Sequence, residues 1–97
     1  MSYVVQAGTD CHNYTYNLRR FFKDFGVYPP EWDGMDRYEV AEKIDAALES
    51  IEANRIETLK AEYDAPNGWG DVETAIDFLQ SVRDSCRQEI PRKVRVL

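Results

Sequence analysis

Apolar positions recur along this chain with two different periods, and Pro- and Gly-rich breaks separate them. At the start, Tyr3-Val4-Val5-Gln6-Ala7 is β-branched and aromatic and is stopped by Gly8, which predicts a short strand over residues 3–7. At the end, Lys93-Val94-Arg95-Val96-Leu97 alternates with period two and predicts a second. Between them the period becomes helical. Val40, Ile44, Ala47, Leu48 and Ile51 form one stripe, behind an Asp36-Arg37-Tyr38-Glu39 capping box in which Asp36 serves the first-turn amides and Glu39 reaches back. Val72, Ala75, Ile76, Leu79, Val82 and Cys86 form a longer one, with Asp71 as its N-cap and Ile90-Pro91 closing it.

Two stretches read both ways. Asn13-Tyr14-Thr15-Tyr16-Asn17 alternates polar and aromatic residues as a strand would, yet Tyr14, Leu18, Phe21, Phe22 and Phe25 recur at helical spacing. The reading adopted is a helix over about 17–25, capped by Asn13 or Asn17 and ended by Gly26. Asn54 either ends the middle helix or lies within one that runs to about Tyr63; a break is favoured because Asn tolerates the left-handed conformation of a C-cap. The paired prolines of Val27-Tyr28-Pro29-Pro30-Glu31-Trp32-Asp33-Gly34 exclude regular structure there, and Tyr28 and Trp32 are expected to fold the loop onto the core. Asp64-Ala65-Pro66-Asn67-Gly68 is a loop. The fold class is α+β, with three to four helices packed on a small sheet formed by the short N- and C-terminal strands, in one domain over residues 1–97. Apolar Val94, Val96 and Leu97 on an unpaired strand edge make a homodimer conceivable.

Composition narrows the function classes. Ninety-seven residues with 43% hydrophobic and 31% charged suit one globular domain. No apolar run reaches the ~20 residues of a membrane span, and the N-terminus lacks the basic and apolar regions of a secretory signal, so a cytoplasmic, membrane-free setting is expected. Cys11 and Cys86 then read as ordinary thiols. The net charge of −6 comes entirely from residues 31–64, which carry −7. Such a chain repels phosphate backbones, and direct nucleic-acid binding is not expected.

Candidate chemistry is sparse. With a single histidine, a His-based mechanism or a multi-His metal site is nearly excluded; neither a metal nor a cofactor is expected, and Cys11-His12 are neighbours that seldom face each other in a fold. In Asn67-Gly68-Trp69-Gly70 the glycines are read as positive-φ residues that turn Trp69 inward as a hydrophobic plug. The competing reading makes the loop amides and the following helix N-terminus a site for an anion or carboxylate. Asn13, Thr15 and Asn17, interleaved with Tyr14 and Tyr16, either satisfy local backbone or line a polar pocket with stacking walls, to which Asn67 and Trp69 would contribute. Glu42, Asp45, Glu49 and Glu52 fall on one face of the middle helix. They form either a solvated surface or a phosphate-like array that occupies a nucleic-acid-binding partner protein.

Asn13-Tyr14-Thr15-Tyr16-Asn17 and Asn67-Gly68-Trp69-Gly70, ahead of an Ala75/Phe78-Leu79/Cys86 helix and a terminal Val-x-Val strand, resemble a group of small proteins encoded in actinobacterial genomes and their phages. The resemblance implies a phage- or prophage-associated setting and supplies no catalytic residue. The leading expectation is a small non-enzymatic protein-interaction module with an unidentified protein partner. The alternative is a small-ligand-binding protein that uses the Asn13–Asn17 segment and the Trp69 loop.

Overall fold

Tyr3, Val5 and Ala7 are buried along β1 (Ser2–Ala7) while Ser2 and Gln6 are exposed, the period-two burial of a strand with one face on a core. The computed structural model describes residues 2–7, 10–66, 68–87 and 93–97. β2 (Asp10–Thr15) runs antiparallel to β1, in a register that pairs Ser2 with Thr15 and Val4 with Asn13. β3 (Arg95–Val96) pairs antiparallel with the other edge of β1, giving the order β2-β1-β3. The two terminal strands do form one sheet, and a third strand joins them.

That third strand decides the ambiguous stretch of residues 13–17 in favour of strand as far as Thr15. The period-two alternation prevails there because β1 needs a ladder partner for its backbone groups. Helical structure follows close to the expected 17–25, as a 3-10 turn Tyr16–Leu18 and then α1 (Arg19–Asp24). Neither Asn13 nor Asn17 caps it: the Thr15 hydroxyl accepts the Asn17 amide at 3.3 Å. Gly26, at φ 73°, ends the segment as expected.

The two prolines do not prevent a short regular turn. Pro29–Trp32 is a 3-10 turn with proline at its first positions, where an N–H has no intrahelical partner to lose. It delivers Trp32, 1% exposed, into the core, where the indole stacks on Phe78 with ring centroids 6.5 Å apart. The segment that follows seals the β3 side of the sheet. Gly34 donates to the Val94 carbonyl, Val94 to Met35, and Val96 to the Asp33 carboxylate.

Asp36 caps α2 (Arg37–Glu52) through a 2.8 Å bond from the Tyr38 amide; among the described residues Glu39 makes no bond back, so half of the capping box forms. α2 breaks before α3 (Ile56–Tyr63), although not through a left-handed asparagine, since no described residue other than glycine has positive φ. The Asn54 side chain instead donates to the Ser50 carbonyl at 2.8 Å. α4 (Val72–Cys86) buries Val72, Ala75, Phe78, Leu79, Val82 and Cys86 against α2, α3 and both long strands. Each large member of that stripe contributes ~1.5–3 kcal/mol of burial, which places the centre of the core on α4. Closure of this helix at Ile90-Pro91 lies outside the described residues. Among the described residues, four α-helices on a three-stranded antiparallel sheet make an α+β fold.

Candidate functional site

Side chains on a strand alternate between faces, so the register of β1 and β2 sorts the polar-aromatic segment. Asn13 and Thr15 share the outer face with their partners Val4 and Ser2, while His12 and Tyr14 share the core face with Val5 and Tyr3. Tyr14 then reaches the start of α4. Its hydroxyl donates to the Asp71 carbonyl at 2.8 Å, accepts the Asp71 amide at 3.2 Å and lies 2.9 Å from the Thr74 hydroxyl. Burial pushes the Tyr14 phenol up from its ordinary value, partly offset by the bonds to Thr74 and Asp71.

A second tie joins the same two segments. Asn17 Nδ2 donates to the Trp69 carbonyl at 2.8 Å. Gly70 lets the loop lie this close: at φ 119°, a Cβ there would stand 2.7 Å from Thr15 Cγ2 and 3.1 Å from Leu18 Cδ2. The loop's own frame is closed by the Ala65 amide on the Gly70 carbonyl at 3.0 Å.

Trp69 does not turn inward. It is 72% exposed, and the plug expected of it is supplied by Trp32. The reason lies in Gly70 and Tyr14, which occupy the space between loop and core that an inward indole would need. Trp69 instead forms one wall of an open cleft of about 690 Å³. Tyr14 and Tyr16 also line it, and Ser2, Asn13, Thr15 and Asn17 supply its polar lining. The structure thus brings together Asn13, Thr15, Asn17 and Trp69; Asn67 lies outside the described residues.

The anion reading of the loop loses two of its donors. The Val72 amide is taken by Asp64 Oδ1 at 2.8 Å and the Thr74 amide by Asp71 Oδ1 at 2.8 Å, so two carboxylates already occupy the helix N-terminus. The Thr74 amide, followed by its hydroxyl, holds the Asp71 carboxyl below its ordinary 3.8.

Of the acidic face, Glu42, Glu49 and Glu52 are exposed. Asp45 is half-buried and is held by Arg83 at 3.5 Å and by Arg87, both on or next to α4. Cys11 and His12 are adjacent on a strand and therefore on opposite faces. Cys11 is exposed, whereas His12 Nε2 lies 2.7 Å from Ser85 Oγ, whose proton goes to Asp10 Oδ2 at 2.8 Å. That cluster of imidazole, hydroxyl and carboxylate pins β2 to α4; its serine is 4% exposed, closed to a substrate. Sequence reasoning missed it, because Ser85 falls between stripe positions and looks like a solvated residue. The sequence likewise hides Arg37, 3% exposed, whose guanidinium donates to the Cys86 carbonyl at 3.0 Å and so caps the end of α4.

Among the described residues no group of three or more His, Cys, Asp or Glu side chains could hold a metal ion, and no helix is long and apolar enough to cross a membrane. Comparison with protein-family models, with curated proteins and with solved structures finds no match to this chain.

Proposed function

We propose that the protein is a small non-enzymatic binding module and that it engages its ligand or partner in the Trp69 cleft. The observation that carries this reading is the junction itself: Asn17 and Gly70 hold the loop against β2 while Trp69 remains 72% exposed. A large indole kept in water on a loop tied at both ends suits a surface that meets something else, since tryptophan is enriched where binding energy concentrates. The described lining supplies rings, amides and hydroxyls but no imidazole, thiol or carboxylate to move a proton or attack a substrate.

The test is a thermal-shift screen with an affinity capture from the native host, run on the native chain and on Trp69→Ala. A ligand present at about 100 times its dissociation constant adds ~2.7 kcal/mol of stability, and Trp69→Ala abolishes that shift and the capture. Retention of both in Trp69→Ala would overturn the reading.

A second reading has its own observation. Glu42, Glu49 and Glu52 are exposed along one face of α2, which suits a protein partner that normally binds phosphate backbones, in the phage-associated setting that the resemblance implies. Changing Glu42, Asp45, Glu49 and Glu52 together to Gln separates the two. Binding lost in this variant and retained in Trp69→Ala moves the function to α2.

A further inference from the structure

The chemistry of the cleft narrows its occupant. In a chain that is 31% charged, no described residue lining this cleft carries a charge. Its polar groups are of one kind: Asn13, Asn17, Ser2 and Thr15 each both donate and accept hydrogen bonds. Among the described residues the Asn13 side-chain amide makes no hydrogen bond, and the Asn17 amide spends only Nδ2, on the Trp69 carbonyl. Beside them stands the exposed indole of Trp69, with the half-buried ring of Tyr16.

Each ligand class can be set against this lining. A nucleotide or other anion would meet no cation in the described wall, in a chain of net charge −6. A purely apolar ligand would cover amides and hydroxyls without pairing them, at about 1–3 kcal/mol for each group left unsatisfied. What matches both halves is a neutral molecule with a flat apolar face for an aromatic ring and a rim of groups that donate and accept together. A pyranose ring has that form: axial C–H bonds make the apolar face, and hydroxyls make the rim. We propose that the Trp69 cleft binds a neutral saccharide, stacked on Trp69 and hydrogen-bonded by Asn13, Asn17 and Thr15. The volume of about 690 Å³ falls within the ~300–1,000 Å³ typical of small-ligand sites. This inference rests on the reading of the cleft as the binding site.

The experiment is calorimetric titration with neutral oligosaccharides of glucose, mannose, galactose and N-acetylglucosamine, with neutral peptides of similar size as the second arm. At least one saccharide is expected to bind, with an affinity flat in salt and from about pH 5 to about pH 9, because a neutral saccharide and the amide, hydroxyl and indole groups of Asn13, Asn17, Thr15 and Trp69 carry no charge to change. Trp69→Ala and Asn13→Ala each weaken it roughly tenfold or more, and Glu57→Gln on α3, exposed and outside the cleft, leaves it unchanged. Both affected side chains are exposed, and circular dichroism checks that the variants fold. Saccharide affinity that falls with rising salt overturns the neutral-ligand argument. Peptides that bind through Trp69 where no saccharide does overturn the saccharide and leave the cleft standing as the site. Saccharide binding indifferent to both variants overturns the inference and the reading beneath it. A panel in which neither class binds overturns the saccharide proposal.

Discussion

At Gly70 a single missing methyl group decides whether the Trp69 loop can rest on the sheet. Alanine there would meet Thr15 Cγ2 at 2.7 Å on a backbone at φ 119°, a conformation that side chains rarely adopt. Gly70→Ala is expected to cost about 1–3 kcal/mol in urea denaturation, and to disturb the cleft as well, because Thr15 lines it. A second contrast at this scale is between the two cysteines. Burial pushes the Cys86 thiol up to about 11, whereas Cys11 is exposed on the outer face of β2. Titration of the native protein with a disulfide reagent is expected to show one reactive thiol, and the second only after unfolding. Two thiols reacting at the same rate would contradict the placement of Cys86.

Among the elements, α4 organises most of what surrounds it, and its N-terminus is where strand, loop and helix meet. The Tyr14 hydroxyl makes that junction, so Tyr14→Phe is expected to lose roughly 1–1.5 kcal/mol with little change of packing, measured by chemical denaturation. How far this was legible in the sequence differs from element to element. The stripe of α4, its Asp71 cap and the terminal strands are local patterns, and they read correctly. β2 did not, because Tyr14 belongs at once to a period-two strand and to a helical series with Leu18 and Phe22. Only the need of β1 for a ladder partner decides between them, and that is not a local property. The placement of Trp69 failed for the same reason, whereas Trp32 folds onto the core as expected. Which indole fills the core depends on whether the Pro29–Trp32 turn or the Gly68–Gly70 loop reaches Phe78, a question of tertiary reach. The meeting of Asn13–Asn17 with the Trp69 loop was anticipated as a joint pocket, yet the ties that hold it, Tyr14 to Asp71 and Asn17 to the Trp69 carbonyl, span more than fifty positions.

For the molecule as a whole, alkaline pH probes the packing of its aromatic groups. The bond that Tyr63 donates to Asp24 Oδ2 at 2.7 Å pushes its phenol up to about 12, and burial does the same for Tyr3. Both values stand above the ordinary 10.0, so the fold favours the neutral phenols. Their contribution to stability is therefore complete below pH 10 and is lost as pH rises through about 12. A phenolate absorbance titration is expected to show Tyr3 and Tyr63 ionising late among the six tyrosines, with denaturation midpoints falling over the same interval. The pairing of Val5 with Val96 has a consequence of another kind, for the order of folding. The β1–β2 hairpin and the α2–α3–α4 succession are local, but β3 closes a loop of nearly the entire chain, and that closure is entropically the most expensive step. β3 should therefore dock after the rate-limiting barrier, as a late clasp. Val94→Ala, which empties a fully buried position, is expected to remove about 1.5 kcal/mol. In stopped-flow experiments nearly all of that loss would appear as unfolding about tenfold faster, with the refolding rate almost unchanged.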